Sequence, residues 1–328
     1  MLMLKKVILI MLGVALVLSG CASPTSTDEP VALTKIRLPM GYIPNIQFAP
    51  FYVAIEKGYF RDAGIELEFD YKFETDGVKL VGSGELPLAI VSGEQVLLAR
   101  AQGLPVTYVA AWYQQFPVSV VAKSELGVII PQDLKGKKIG IPGLFGATYV
   151  GLRALLFEAK MKEEDVTLDS IGFNQVDLLA SGQQEIVVGY TANEPIQLKA
   201  RGIPVTEIRV ADYVQLASNG ILANEQVINE KPELVRAFIG AFLKGLADTI
   251  ANPDEAFEMS KSYIPNFADL DATVQRQILL TSVEQWKAER LGYSDPQAWE
   301  NMQNVLLDMG LISQKMDLSK AYTNEFIP

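Results

Sequence analysis

The 328-residue sequence predicts an α/β protein whose folded body has two lobes with a cleft between them. Three observations lead to this prediction. Short apolar stretches alternate with helical stretches, which is typical of α/β layers with largely parallel sheets. The alternation starts afresh after a switch near residues 123–132. From Lys231 onward the pattern is helical and is expected to pack back on the first lobe, so that the chain crosses between the lobes twice and forms a hinge.

The N-terminal segment is expected to precede the folded body. Two lysines are followed by the apolar run Val7 to Leu18, which is short for a membrane span and typical of a signal peptide over residues 1–20. The sequence Leu-Ser-Gly-Cys that ends at Cys21 matches the bacterial lipobox, in which the cysteine thiol accepts a lipid. We therefore expect a lipid anchor at Cys21 and a tether over residues 21–33. The alternative is an ordinary signal peptide with an incidental cysteine.

The first alternation covers residues 34–122 and, with residues 218–328, is assigned to lobe 1. Its predicted strands are Ile36 to Pro39, Ile65 to Tyr71, Leu88 to Val91, Val106 to Trp112 and Val118 to Ala122. Its predicted helices are Ala49 to Lys57, Asp76 to Ser83 and Glu94 to Ala101. Beyond Lys231, apolar residues recur at helical spacing, as in Leu234, Phe238, Ala241 and Phe242.

The second alternation covers residues 123–217 and is assigned to lobe 2. Its predicted strands lie within Asp133 to Gly143, and at Val166 to Ile171, Glu185 to Tyr190 and Val205 to Val210. Its predicted helices are Ala147 to Ala159, Val176 to Ser181 and Pro195 to Ala200. Carboxyl ends of strands and amino ends of helices collect at clefts between such lobes, so the loops there are the places to look for a site.

The composition excludes several classes of function. The net charge is −11, which argues against nucleic acid as a partner. The chain has no histidine, the commonest general base and transition-metal ligand. Because histidine is absent and Cys21 is the only cysteine, catalytic sites that pair histidine with serine or cysteine are excluded. Catalysis by carboxylates or by lysine is not excluded. We expect no cofactor and no metal.

Three segments resemble one family of transport proteins. They are "GYIPNIQFAPFYVAIEKGYFRDAGIELEF", "VSGEQVLLARAQGLPV" and "DLKGKKIGIPG". They are similar to solute-binding lipoproteins of ABC importers, in the subfamily related to thiamine-pyrimidine synthases. That subfamily includes binding proteins for riboflavin and for pyrimidine precursors of thiamine. The resemblance covers most of residues 34–328 and implies a two-lobe, type II periplasmic-binding fold that closes on its ligand.

The resemblance also separates this chain from the synthase branch of the subfamily. Those enzymes use a histidine and a cysteine-rich segment, and this chain has neither. The resemblance therefore implies a binding protein rather than an enzyme. Its implied partners are the permease and ATPase of an importer and the membrane, through the lipid, on the extracytoplasmic face. We expect a monomer.

The loop after the first strand holds the first candidate site residues. Tyr42 is suited to stack on a planar ring, and Asn45 or Gln47 to bond the edge of that ring. Asn45 equally suits a turn or a helix cap. Ser92 precedes a helix in Ser92-Gly93-Glu94, where a cap and a ligand contact are both open.

Three further loops supply the remaining candidates. Trp112 and Tyr113 end a strand, and they either stack on a flat ligand or belong to the core and the hinge. The loop that holds Phe145 and leads to Thr148 enters a helix, whose free amides suit a ligand oxygen. The remaining candidates end the strand at 185–190 and begin the next helix: Tyr190, Asn193 and Glu194. For Glu194 the alternative is an ordinary first-turn helix acid.

Together these loops offer aromatic rings and neutral amides and few cations. A sulfonate or nitrate ligand needs more positive charge than this. A neutral, flat, hydrogen-bonding ligand fits better, and the resemblance to the subfamily implies two candidate ligands of this kind. Riboflavin is preferred because aromatic and amide residues are abundant. A formylaminopyrimidine is the alternative and needs chiefly one carboxylate for its amino edge.

Overall fold

Ten strands form the framework of the part that the computed structural model describes, which is residues 33–328. The strands are β1 (Thr34–Pro39), β2 (Ile65–Asp70), β3 (Leu88–Val91), β4 (Val106–Ala111), β5 (Val118–Lys123), β6 (Lys138–Ile141), β7 (Thr167–Ser170), β8 (Ile186–Tyr190), β9 (Val205–Arg209) and β10 (Gly220–Asn224). The strands expected from the sequence are present, with small shifts at their ends. The predicted signal peptide, Cys21 and the tether up to residue 32 lie outside the described residues.

The α-helices follow the strands in the order that the sequence predicts. They are α1 (Ala49–Glu56), α2 (Tyr59–Asp62), α3 (Glu74–Gly82), α4 (Gly93–Ala101), α5 (Gly146–Glu158), α6 (Gln175–Ala180), α7 (Glu194–Ala200), α8 (Glu225–Glu230), α9 (Pro232–Ala251), α10 (Pro253–Ser260), α11 (Ala272–Trp286), α12 (Pro296–Asp308) and α13 (Leu318–Ala321). Within residues 33–328, none of the helices has the length and apolar character that crossing a bilayer requires.

The strands divide between two lobes. In lobe 1, β1 pairs with β2 in parallel, and β10 lies between β3 and β4. In lobe 2, the five strands stand in the order β7, β6, β8, β5, β9. The strands β3, β4 and β5 are buried along nearly their whole length and read as continuous apolar runs, as strands covered on both faces do.

The sheets are mixed rather than largely parallel, and the exceptions are β5 and β10. Strand β10 runs antiparallel to β3 and β4, and β5 runs antiparallel to β8 and β9. Each is the first strand after the chain has passed from one lobe into the other. It therefore enters the middle of the new sheet from the opposite direction. Strand β5 thus belongs to the sheet of lobe 2, although the expected boundary of lobe 1 at residue 122 includes most of it.

The two passages between the lobes are joined to each other. They are the segments 112–117, between β4 and β5, and 210–219, between β9 and β10. The backbone N–H groups of Trp112 and Tyr113 both donate to the carbonyl oxygen of Asn219, at 2.9 and 3.0 Å. The passages therefore lie side by side, as a hinge between two lobes requires.

The C-terminal helices contact both lobes rather than lobe 1 alone, where the sequence places them. Helices α9 and α10 lie against α1, whereas α12 contacts α4 of lobe 1 and α5 of lobe 2. Helix α9 begins with Pro232, whose missing N–H costs nothing in a first helical turn, and lies against α1. Phe51 of α1 and Phe242 of α9 stack with their ring centroids 4.6 Å apart. The two helices approach closely because Gly245 faces Pro50 and Ala54 of α1.

Two glycines of α9 are expected to respond in opposite ways to alanine. A Cβ at Gly245 would lie 2.7 Å from the Cβ of Ala54 and against the Pro50 carbonyl, while a Cβ at Gly240 would meet nothing within 4 Å. Gly245→Ala should lower the free energy of unfolding by about 1–3 kcal/mol. Gly240→Ala should raise it by about 0.5–1 kcal/mol, because alanine favours the helix. Urea unfolding of both variants measures this, and equal effects would contradict the close approach.

Candidate functional site

A cleft lies between the two lobes, with a volume of about 820 Å³ that includes its open mouth. Its walls follow the carboxyl ends of β1, β4, β6, β7 and β8, where the loops of parallel strands meet. Lobe 1 and the passages contribute Met40, Gly41, Tyr42, Gln47, Phe48, Phe73, Glu74, Ile90, Trp112, Tyr113 and Asn219. Lobe 2 contributes Pro142, Phe145, Gly146, Ala147, Thr148, Phe173, Gln175, Tyr190, Asn193 and Glu194.

Four aromatic rings from both lobes meet at the mouth of the cleft. Tyr42 contacts Phe173 edge to face, with centroids 4.7 Å apart and an interplanar angle of 82°. Phe73 contacts Phe145 at 5.4 Å and Phe173 at 5.1 Å. Phe73 and Phe145 are 38% and 41% exposed, so apolar rings are held at the surface. We call Tyr42, Phe73, Phe145 and Phe173 the mouth rings.

Trp112 and Tyr113 form the floor of the cleft and belong to the core of lobe 1 at the same time. Both are almost fully buried. The Trp112 ring lies 5.7 Å from Phe48 and 5.8 Å from Trp286, at shallow angles of 30° and 31°. The Tyr113 hydroxyl accepts a hydrogen bond from Gln47 Nε2 at 3.2 Å. Within residues 33–328 the Trp112 indole N–H has no acceptor, which leaves an unused donor at the floor.

A pair of carboxyl groups shares one serine beside the floor. The Ser92 hydroxyl lies 2.6 Å from Glu74 Oε2 and also makes a short contact with Glu94 Oε1. A hydroxyl has one proton to donate, so only one carboxylate oxygen can accept it. The other contact is a hydrogen bond only if that carboxyl is protonated and donates to the serine oxygen. The arrangement therefore favours one proton held by the pair.

The burial of the two carboxyl groups also favours a proton on the pair. Desolvation, followed by the charge of Glu94, raises the pKa of Glu74 to about 8. Desolvation also raises the pKa of Glu94, against the hydrogen bond from Ser92. Glu94 and Ser92 are fully buried, whereas Glu74 is half-buried and faces the cleft. Burial thus favours the neutral form of Glu74, which faces the cleft, and its proton can be donated either to Ser92 or to a ligand, but not to both.

Asn219 links this pair to lobe 2. Its side-chain N–H₂ group lies 3.4 Å from Glu74 Oε1 and 3.0 Å from the Tyr190 hydroxyl. The Tyr190 hydroxyl in turn can donate to Asn219 Oδ1 at 3.2 Å. The side chains that meet here come from a passage between the lobes, from α3 and from the end of β8. Asn219 therefore makes a polar contact between the lobes at the inner end of the cleft.

Glu194 and Asn193 begin helix α7 on the lobe 2 wall. Glu194 is buried, and its Oε2 accepts the Tyr190 backbone N–H at 2.6 Å. Desolvation raises the Glu194 pKa to about 7, although this hydrogen bond acts against the rise. Asn193 Oδ1 accepts from Gln197 at 2.9 Å, and its N–H₂ group lies 3.5 Å from the Tyr42 hydroxyl of lobe 1.

Nine of the eleven ligand-binding residues predicted from the sequence line this cleft. They are Tyr42, Gln47, Trp112, Tyr113, Phe145, Thr148, Tyr190, Asn193 and Glu194. Asn45 lies outside it and caps the short turn Ile46–Phe48, where its Oδ1 accepts the Gln47 N–H at 2.9 Å. Ser92 stands behind Glu74 and reaches the cleft only through that carboxyl.

Five residues of the cleft lining were not predicted from the sequence: Phe73, Glu74, Phe173, Gln175 and Asn219. The first two begin α3, which starts before the predicted Asp76. Phe173 and Gln175 follow β7, and the rule that strand ends face the cleft would have found them. Asn219 precedes β10 and reaches the cleft only because the two passages are hydrogen-bonded together.

Solved structures with the same fold include binding proteins. The chain is similar to the alkanesulfonate-binding protein SsuA of Xanthomonas axonopodis pv. citri, with a TM-score of 0.71 and 14% identity over 88% of this chain and 98% of that one. At this identity the likeness concerns the fold alone. The fold is the two-lobe periplasmic-binding fold that the sequence predicted.

Sequence relatives match over nearly the whole chain. The riboflavin-binding protein RibY of Chloroflexus aurantiacus is 42% identical over 99% of both chains. The formylaminopyrimidine-binding protein of Halalkalibacterium halodurans is 30% identical over 90% of this chain and 91% of its own length. The family described as "NMT1/THI5 like" matches residues 45–256. The chain described here therefore belongs to the NMT1/THI5-like family.

Proposed function

We propose that this protein is the lipid-anchored binding component of an ABC importer and that it captures riboflavin. The observation that carries the proposal is the lining of the cleft, where aromatic rings from both lobes surround neutral amides and carboxyl groups. The 42% identity to a riboflavin-binding protein over the full length supports the same ligand. A flat isoalloxazine ring suits such walls because aromatic faces stack and its uracil-like edge both donates and accepts hydrogen bonds.

The charges of the cleft argue against an anionic ligand. Lysine and arginine are absent from the described residues that line it, whereas Glu74 and Glu194 are both present. Anions are usually held by guanidinium groups or by several free N–H groups. An alkanesulfonate, which the structural relative binds, would be placed beside two carboxyl groups here. The cleft therefore suits a neutral ligand or one with donor groups.

A formylaminopyrimidine is the second candidate, and the carboxyl groups favour it. An amino group on a pyrimidine is a donor that an ionised Glu194 or Glu74 would accept. The relative that binds this compound is 30% identical. Riboflavin is preferred because the number of aromatic rings in the lining exceeds what one small pyrimidine ring needs, and because the identity to the riboflavin-binding relative is higher.

The remaining features of the proposal follow from binding rather than catalysis. With no histidine in the sequence, synthase-type chemistry lacks its base, so the protein is proposed to bind without transforming its ligand. The bound ligand is passed to the membrane permease, whose ATPase drives import. The protein acts as a monomer at the extracytoplasmic face and is held there by the lipid on Cys21.

The first test concerns stacking on the mouth rings. Riboflavin fluorescence should be quenched on titration with the protein, because a stacked aromatic ring quenches the flavin. Tyr42→Leu keeps an apolar side chain but removes a ring, and should weaken binding about twofold to tenfold. Tyr213→Leu is the matched control, since Tyr213 is 41% exposed and lies outside the cleft. Equal affinities of the two variants would contradict a stacking role for Tyr42.

The second test uses the proton on Glu74. Below its pKa of about 8 the neutral carboxyl donates to a flavin carbonyl, and this donor is lost as the pH rises through that value. Glu194, which also lines the cleft, has a pKa of about 7, so it loses its proton at lower pH and part of the fall begins below the Glu74 pKa. Riboflavin affinity, measured by calorimetry from pH 6 to 9, should fall by up to about tenfold per unit above the Glu74 pKa.

The matched variant for this test is Glu74→Gln. Its amide N–H₂ group still donates and does not titrate, so the fall in affinity with pH should become smaller. The opposite trend would favour the second candidate. If affinity for a formylaminopyrimidine rises with pH while riboflavin does not bind, the carboxylate form is the binding form and riboflavin is the wrong ligand.

The third test concerns the anchor. Cys21→Ser should remove the thiol that accepts the lipid, so the protein should leave the membrane fraction or remain unprocessed. Ser26→Ala, a change in the tether that spares the lipobox, should leave the protein in the membrane fraction. A correctly processed Cys21→Ser protein that stays with the membranes would refute the lipid anchor.

A further inference from the structure

A second cavity adjoins the cleft on the far side of Tyr42. Its volume is about 980 Å³, including the space open to solvent. It is enclosed by the loop Ile43–Asn45 of lobe 1, the first turns of α6 and α7 in lobe 2, and the start of α11. The two cavities share five residues as a common wall, which are Tyr42, Phe173, Gln175, Asn193 and Glu194.

Side-chain amides dominate the polar lining of this cavity. The six amide residues are Asn45, Asn174, Gln175, Asn193, Gln197 and Gln275. Gln275 is only 8% exposed, and its side chain makes no hydrogen bond to any other residue within 33–328. The other five amides already bond within the protein: Asn45 to the Gln47 N–H, Asn174 to the Ile171 carbonyl, Gln175 to the Val188 carbonyl, and Asn193 with Gln197. An amide has two N–H groups and two lone pairs, so each keeps donor or acceptor capacity, and the cavity suits a polar occupant.

The charges of this second cavity are balanced. Arg201 forms an ion pair with Asp177 at 2.7 Å, so its guanidinium is already partnered. Glu194 is the third ionisable group and adds no positive charge. An anionic occupant such as a phosphate would face two carboxyl groups and one neutralised cation. A neutral occupant with many hydroxyl groups fits better, since each hydroxyl both donates and accepts, as each amide does.

We propose that the second cavity binds the neutral polyol tail of the flavin whose ring lies in the cleft. This inference rests on the proposed riboflavin function and assigns its ligand a second subsite. The ring occupies the aromatic side of Tyr42, and the five-carbon tail passes the Tyr42–Asn193 contact into the amide-lined side. Asn193 lies on the common wall, where it meets the first hydroxyl groups of the tail, and Gln197 and Gln275 bind those further along.

The experiment compares riboflavin with lumiflavin, which carries a methyl group in place of the polyol tail. Affinities are measured by fluorescence titration of the purified protein. Riboflavin should bind at least about tenfold more tightly, because several hydrogen bonds depend on the tail. Gln275→Leu should weaken riboflavin binding about threefold to tenfold and leave lumiflavin binding unchanged. Gln277→Leu is the matched control, since this exposed residue of α11 lies outside both cavities.

The outcomes separate the subsite from the function itself. Equal binding of the two flavins, with no effect of Gln275→Leu, overturns the tail site and leaves riboflavin as the ligand. An equal loss of both flavins in Gln275→Leu also overturns it, because that loss reflects a change in the fold or the ring site. Failure of both flavins to bind the unaltered protein overturns the proposed function and the tail site together.

Discussion

The two hydrogen bonds that Trp112 and Tyr113 donate to the Asn219 carbonyl are the constraint on which the site depends. They join the two passages between the lobes, so the lobes can turn only about an axis near both. A Cβ at the next residue, Gly220, would collide with the Tyr108 side chain and the Ala110 carbonyl, which shows how tightly β10 enters its sheet. The same junction places the rings of Trp112 and Tyr113 at the floor and the Asn219 amide beside Glu74. The hinge and the cleft are therefore built from the same residues.

A second constraint on the cleft is that few cations lie near its buried carboxyl groups. Arg100, for example, is engaged with Glu225 at 2.6 Å, away from the cleft. With few cations near, buried carboxyl groups lower their cost by keeping a proton rather than by forming ion pairs. A protonated carboxyl can donate a hydrogen bond, whereas an ionised carboxylate can only accept one. Burial thus gives this acidic protein a neutral site with donors and acceptors at one end of the cleft.

The sequence predicted nine of the ten strands and most residues of the cleft, because both depend on local patterns, but it did not predict strand β10. Tyr42 and Glu194 were found from the ends of strands, and Trp112 from its place beyond a buried run. Glu74 could not be found in that way, since a glutamate in the first turn of a helix ordinarily faces solvent. Its burial results from Ser92 and Asn219, which come from distant parts of the chain. The antiparallel entry of β5 and β10 was also missed, because pairing across the passages leaves no local pattern.

The mouth rings show how such a site balances access against affinity. Phe73 of lobe 1 contacts Phe145 and Phe173 of lobe 2 directly, so the lobes already touch at the mouth. Each aromatic pair is worth about 0.5–1.5 kcal/mol, which is comparable with thermal energy. These contacts are strong enough to keep the lobes close and weak enough to open for a ligand. A flat ligand that inserts beside these rings exchanges ring contacts for its own, and its net affinity is the difference.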